Sequence, residues 1–355
     1  MPYNFSAGPA ILPKEVMQEA AQAVLDFNNS GLSLIEISHR SKDFIAVMDE
    51  ARFLAKELLG AGEDYEALFL GGGASLQFAM APMNLLNDDE KAAYIDTGAW
   101  SSKAIKDAKL YGHIEVLASS KNENYSYIPK EYDIASDYKY LHITSNNTIY
   151  GTQYKSFPKT EVPLVADMSS DIFSRTFDIN KFDLIYAGAQ KNMGPAGATL
   201  VLVKKSALGK VKRNLANMLN YTNHINSDSM YNTPPVFPVY VSMLTMRWVK
   251  NLGGIQAIQK INEHKSGLLW SEIDRNPLFQ SPTQFEDRSN MNVCFLLKNT
   301  DLEAEFLVKC KEAGCSGIGG HRSVGGFRAS IYNAMPLEGV EVLIGLMQEF
   351  ERTKG

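Results

Sequence analysis

The sequence predicts an α/β fold: a large domain with a mostly parallel seven-stranded sheet, followed by a smaller α+β C-terminal domain. Three observations carry this. Seven short apolar or β-rich runs, at 66–70, 92–96, 114–117, 138–144, 162–167, 183–187 and 198–203, have helical segments between several of them, the pattern of βαβ units. Glycine-rich or polar turns follow several of these runs, and in parallel sheets ligands bind outside the carboxyl ends of strands. From about residue 240 the texture changes to long helical stretches with two further strand-like runs.

The elements follow in order. Residues 13–27 read as a helix, because Pro13 suits a first turn and Val16, Ala20, Val24 and Phe27 recur at helical spacing. Residues 43–59 repeat the pattern, with Phe44, Val47, Met48, Ala51, Leu54, Ala55 and Leu58 as an apolar stripe. Between these helices Leu34–Ile37 reads as strand-like. After the seven runs, a helix through Val239 to Leu252 ends at Gly253-Gly254, and an amphipathic stretch continues to about 274. A strand near 291–297, a helix near 301–313, a glycine-rich segment 314–326, a strand 327–331 and a helix 337–352 close the chain. The expected division is a large domain at 13–260 and a small one at 261–355, with residues 1–12 packing on the latter.

Composition narrows the function class. The chain has 355 residues, 45% of them hydrophobic and 21% charged, ordinary values for a globular protein with a sizeable core. Net charge is −5 and no basic run stands out, so neither nucleic acid nor an anionic membrane is expected as partner. No apolar run approaches the roughly 20 residues of a membrane span. The N-terminal residues lack the basic-then-apolar order of a signal peptide. Cys294, Cys310 and Cys315 fit reduced thiols in a cytoplasmic protein, and their spacing, even with His321, argues for no metal.

The chemistry centres on Lys191, in Ala187-Gly-Ala-Gln-Lys-Asn-Met-Gly-Pro-Ala-Gly197, just past the run that starts at Asp183. A lysine beyond a buried strand is desolvated, which favours the neutral amine that attacks aldehydes. Asp167, 24 residues upstream, ends another apolar run. A carboxylate and a lysine on neighbouring strand ends match what pyridoxal phosphate needs at its ring nitrogen and its aldehyde. Gly71-Gly-Gly-Ala-Ser75 follows a strand and leads into a helix expected to begin near Leu76. There, Ala74 and Ser75 are placed to hold a phosphate on free N–H groups. The run has neither a P-loop nor a dinucleotide spacing. Trp100 offers an indole to stack on a pyridine ring, and Thr148 a hydroxyl beside it. His39-Arg40, His321-Arg322 and Arg328 supply cationic donors in turn-rich settings, suited to a small, multiply anionic substrate. In Asn232-Thr-Pro-Pro235 two prolines fix the backbone beside two short polar side chains.

These residues resemble the phosphoserine aminotransferases, fold-type I enzymes that use pyridoxal 5′-phosphate. The resemblance covers nearly the whole chain. It rests on Asn4-Phe-Ser-Ala-Gly-Pro-Ala10, Ser38-His-Arg40, Ala187-Gly-Ala-Gln-Lys-Asn192, Asn232-Thr-Pro-Pro235, Gly320-His-Arg322 and Arg328-Ala-Ser-Ile-Tyr-Asn-Ala-Met-Pro-Leu-Glu-Gly339. It implies that Lys191 carries the cofactor, Asp167 pairs with its ring nitrogen and Trp100 stacks on the ring. It further implies that Thr148 and Gln190 bind cofactor oxygens, and that Ala74 and Ser75 hold the phosphate. Asn232 and Thr233 would reach the phosphate of a partner subunit, making the active site the property of a homodimer. Arg40 with His39 would hold the glutamate side chain or the substrate phosphate, Arg328 the α-carboxylate, and His321 and Arg322 would join the phosphate pocket. The implied reaction exchanges the amino group between L-glutamate and 3-phosphohydroxypyruvate in serine biosynthesis. The 4-phosphohydroxythreonine of vitamin B6 biosynthesis is a second substrate the family admits. The number of cations argues against an unphosphorylated acceptor, and the intact Lys191, Asp167 and Trp100 set argues against a module without turnover. One departure stands out. Some members carry an arginine in the glycine loop, where this chain reads Gly-Gly-Gly-Ala-Ser-Leu-Gln77.

Overall fold

The computed structural model describes residues 2–355. All seven expected strands form one sheet. Its order is Tyr65–Leu70, Thr199–Lys204, Phe182–Gly188, Leu164–Asp167, Leu141–Thr144, Lys91–Asp96, His113–Ser119. The last five in that order pair in parallel, whereas Thr199–Lys204 runs antiparallel to both neighbours. The single reversal arises because Lys191 and its glycine-rich turn return the chain directly alongside Phe182–Gly188, with no crossover helix between them.

Apart from the exposed edge strand His113–Ser119, the strands are buried on both faces, so their side chains divide by alternation. Phe69, Ile95, Ala166, Ile185, Ala187 and Leu200 join one core, with the stripe of the helix Lys42–Leu59 and the helix Val236–Asn251. Leu70, Tyr94, Val165, Tyr186 and Val201 join the other, beneath the helices Gly73–Leu85 and Ala99–Ala108. A third core gathers Phe295, Phe306, Phe327 and Phe350 around a three-stranded antiparallel sheet formed by Phe279–Gln280, Asn292–Leu297 and Phe327–Ser330. Phe5 belongs to this core, and Tyr3–Asn4 pairs in parallel with Cys315–Ser316, so the first residues are woven into the C-terminal part. The helix Gly254–Arg275 serves two cores: Ile255 packs in the first and Leu269, Trp270 and Ile273 in the third.

Two local expectations are corrected. Leu34–Ile37 is a turn and not a strand. Its backbone is consumed locally: Ser33 O accepts from Glu36 N and Ile37 N, Ser33 Oγ accepts from Ile35 N, and the Glu36 carboxylate accepts from Ser33 N. Hydroxyl and carboxylate side chains competing for nearby amides favour such turns over a ladder. The helix after the glycine loop begins at Gly73, ahead of Leu76, which brings Ala74 and Ser75 inside its first turn.

Candidate active site

Asp167 and Lys191 lie at the carboxyl end of the sheet. The strands Leu164–Asp167 and Phe182–Gly188 are parallel neighbours with Asp167 opposite Tyr186, and Lys191 follows three residues after the second. Leu141–Thr144 pairs on the other side, with Thr144 opposite Asp167, and leads to Thr148. Parallel pairing therefore puts residues from three strand ends over one site. Lys191 Nζ donates to Thr148 Oγ1 at 2.7 Å and sits 5.5 Å from the centre of the Trp100 ring. Arg328, arriving from the three-stranded sheet, points a guanidinium N–H at Thr148 O, 3.5 Å away.

Asp167 is held by a short turn. Its Oδ1 accepts from Ser169 N at 2.9 Å and from Ser169 Oγ at 2.7 Å, and Ser169 Oγ in turn accepts from Gly188 N at 3.1 Å. That chain of bonds ties the two strand ends together. Burial pushes the Asp167 carboxyl above the usual carboxylate range, against the pull of Lys191 and the Ser169 donors. Burial also lowers the Lys191 amine, with Arg328 adding to it and Asp167 opposing it, to about 8.

The N-terminal segment closes over the lysine. A Cβ on Gly8 would stand 3.4 Å from Lys191 Cγ, and Ala10 N donates to Gln190 O at 2.9 Å. A Cβ there would only make ordinary contact with the stem; it is the φ of +155° that suits glycine.

The helix Gly73–Leu85 starts after Gly72, at φ 93°, where a Cβ would collide with Leu76 at 2.5 Å. Its first-turn amides, including those of Ala74 and Ser75, have no intrahelical acceptor. The Ser75 hydroxyl makes no hydrogen bond within the described residues, and both side chains are at least partly exposed.

These features meet the needs of pyridoxal phosphate. Among the described residues no donor reaches Asp167 Oδ2, leaving it free for a ring N–H. The indole Nε1 of Trp100 and the Nε atoms of His39 (Nε2) and Arg328 are buried without partners. Free helix amides, an aldehyde-reactive amine, an aromatic face and a buried carboxylate fit the cofactor's phosphate, aldehyde, ring and nitrogen respectively.

The remaining expected residues divide. Gln190 flanks Lys191 in the same turn. His321 lies in a cationic neighbourhood: burial first, then Arg328, Arg322 and Lys103, disfavour its protonation. His39 and Arg40 form a turn before the helix Lys42–Leu59, and no hydrogen bond or ion pair joins them to Lys191. Asn232 and Thr233 are exposed before Pro235, the cap of the helix Val236–Asn251, and among the described residues their only side-chain bond runs from Asn232 Nδ2 to Thr233 O.

Three neighbours escaped sequence reasoning. Ser169 carried a usable signal, because a serine two residues after an aspartate is a common turn pairing. Lys103 lies one helical turn beyond Trp100, its ammonium 4.4 Å from the indole centre, a spacing open to inspection. Tyr332, whose hydroxyl donates to Ala7 O at 2.7 Å, had no local signal, since that contact spans almost the whole chain.

The family model described as aminotransferase class-V matches residues 2–343. A phosphoserine aminotransferase of Flavobacterium psychrophilum is 63% identical over 350 residues, covering 98% of each chain. That of Bacteroides fragilis is 55% identical over 352 residues, covering 99% of each. Among solved structures, phosphoserine aminotransferase from Bacillus circulans subsp. alkalophilus superposes with a TM-score of 0.97 at 44% identity, covering 100% of this chain and 99% of that one. The PLP-bound phosphoserine aminotransferase of Trichomonas vaginalis gives 0.93 at 35% identity, over 98% and 100%.

Proposed function

The chain belongs to the class-V aminotransferase family, and from that premise we propose that it transfers the amino group of L-glutamate to 3-phosphohydroxypyruvate, giving O-phospho-L-serine and 2-oxoglutarate. The observation that carries this reading is the Lys191 amine, poised on Thr148 Oγ1, with the buried Asp167 carboxylate at the neighbouring strand end acting on it electrostatically. Bound there, pyridoxal phosphate supplies an aldehyde to hold the amino group and a protonated ring to take up electrons when Cα loses its proton. Asp167 keeps the proton on the ring nitrogen. With the cofactor in place, the Lys191 amine would remove the Cα proton and return it one carbon away, acting as base and then acid. Ala74 and Ser75 amides hold the cofactor phosphate, Trp100 supports the ring, and Thr148 and Gln190 bind oxygens.

Substrate selection falls to the cations. Arg328 takes the α-carboxylate, and His39, Arg40, His321 and Arg322 take the phosphate or the glutamate side chain. Lys103 adds charge to this neighbourhood, which supports a phosphorylated acceptor although the glycine loop lacks an arginine. The phosphate-bearing 4-phosphohydroxythreonine type of substrate suits the same cations.

The same reading divides the chain into a large cofactor-binding domain, 13–260, and a small domain, 261–355, on which residues 1–12 pack. It also makes the protein a cytoplasmic homodimer with no nucleic-acid or membrane partner. The exposure of Asn232 and Thr233, away from bonds to their own chain's site, supports a role on the partner's cofactor phosphate. No helix among the described residues is long and apolar enough to cross a membrane. The test is kcat/KM with glutamate and each of 3-phosphohydroxypyruvate, pyruvate and glyoxylate. A preference of at least about a hundredfold for the phosphorylated acceptor is expected from loss of one charge-paired group; equal values would overturn the substrate assignment.

A further inference from the structure

Lys265 is a fully buried lysine without a carboxylate partner. It lies in the helix Gly254–Arg275 at 0% exposure, and no acidic side chain forms an ion pair with it among the described residues. Its ammonium is met by main-chain oxygens alone: Tyr332 O at 2.8 Å, Met335 O at 2.9 Å, Ile331 O at 3.3 Å and Asn333 O at 3.5 Å. Burying an unpaired charge is unfavourable unless its surroundings are built to receive it. Four carbonyls converging from five consecutive residues are such a surrounding. They also impose a shape on the turn, because the oxygens of 331, 332, 333 and 335 must all face one point.

The fixed turn touches both halves of the active site. On one side it continues the strand Phe327–Ser330, which carries Arg328. On the other, Asn333 N donates to Asn192 Oδ1 at 2.9 Å, next to Lys191, and Tyr332 OH donates to Ala7 O at 2.7 Å, next to the Gly8 that abuts the lysine stem. Asn333 Nδ2 also donates to Phe173 O at 2.9 Å, and Asn262 Nδ2, one turn before Lys265, donates to Asn333 Oδ1 at 2.8 Å. Lys265 touches neither Lys191 nor Arg328, yet its cage reaches Arg328 three residues back along the chain and reaches Asn192, the neighbour of Lys191, through one hydrogen bond.

We propose that Lys265 is a positioning residue: by gathering the carbonyls of the 331–335 turn it sets the placement of Arg328 relative to Lys191, and so the grip on the substrate α-carboxylate. This rests on the transaminase reading of the site. An apolar residue of similar length takes the ammonium from all four carbonyls, of which Tyr332 O keeps Met335 N as a donor at 2.9 Å, so the turn must open for the others to find water or new partners. Arg328 then shifts, while His39 and Arg40, in the turn before the helix Lys42–Leu59, stay in place for the substrate phosphate, as do the amides of Ala74 and Ser75 for the cofactor's.

The test compares Lys265→Met and Asn262→Ala with the parent holoprotein. The readouts are cofactor content, thermal midpoint, KM and kcat for glutamate, and the inhibition constants of 2-oxoglutarate and inorganic phosphate. Expected for Lys265→Met is full cofactor content, with glutamate KM and the 2-oxoglutarate constant raised at least tenfold and the phosphate constant within twofold of the parent. Asn262→Ala should move the same constants in the same direction by less. A lowered midpoint with glutamate KM and the 2-oxoglutarate constant within twofold of the parent would make Lys265 merely structural and overturn the proposal, as would equal weakening of 2-oxoglutarate and phosphate. Should Lys265→Met not fold, Asn262→Ala decides by the same criteria. Failure of the parent protein to transaminate would instead sink the functional reading, and the two failures are thereby distinguishable.

Discussion

Lys191 Nζ and Thr148 Oγ1 stand 2.7 Å apart although 43 residues separate them in sequence. The contact exists because their strands share one sheet and end on the same side of it. A hydroxyl accepting from the amine fixes where the nitrogen points without adding charge, so the amine keeps the low basicity that burial gives it.

Replacing Lys191 with Ala removes the group that takes and returns the Cα proton. The protein should still fold and bind cofactor, since the phosphate and ring contacts remain. Turnover with glutamate and 3-phosphohydroxypyruvate should fall by at least about three powers of ten, the upper part of the range for general acid–base catalysis. Steady-state assay alongside cofactor content checks this.

Thr148→Val keeps the shape and deletes the acceptor. A hydrogen bond to a charged group contributes about 1.5–3 kcal/mol, so kcat should drop by roughly ten- to a hundredfold. Thr148→Ser should recover most of that loss.

Asp167→Asn keeps the Ser169 amide bond available but cannot hold a proton on the ring nitrogen electrostatically. Loss of a buried charge partner costs about 3–5 kcal/mol, which predicts a fall in kcat of at least about a hundredfold. Retained thermal midpoint with lost activity separates this from misfolding.

The pH dependence of cofactor uptake by the apoprotein follows from the Lys191 shift. The neutral amine is the reactive form, and its fraction grows as pH rises through about 8; an unperturbed lysine would be neutral to under about 1% there. The rate should therefore rise between pH 7 and 9 and level off above. Asp167 favours the protonated amine, so in Asp167→Asn the midpoint should move to lower pH. A rise centred near pH 10 in the parent protein would contradict the site's electrostatics.

If Asn232 and Thr233 serve the partner's site, Lys191→Ala and Asn232→Ala proteins should complement each other. Mixed and re-equilibrated, they should show more activity than either alone, because one site of the mixed dimer is intact. No gain under conditions of proven subunit exchange would place both roles in one chain.

Much of this is legible in the sequence alone. Alternating apolar runs give all seven strands, because buried strands must be apolar and their ends must turn. Lys191 and Asp167 were readable for the same reason: each is a polar residue at the end of such a run. The antiparallel placement of Thr199–Lys204 was not, since strand direction is set by which connection the chain takes and leaves no composition signature. Leu34–Ile37 misled because a short apolar run says nothing about whether its amides find a neighbour strand or the Ser33 and Glu36 side chains. The carbonyl cage of Lys265 was also hidden: in sequence it is one lysine on an amphipathic helix, and only the fold brings residues 331–335 to it.

The most direct test follows the visible band of the purified holoprotein through the two half-reactions. Glutamate should bleach the band, 3-phosphohydroxypyruvate should restore it, and pyruvate should not; the Lys191→Ala protein should show neither change at a comparable rate. Restoration by pyruvate at an equal rate, or an undiminished response without Lys191, would contradict the account.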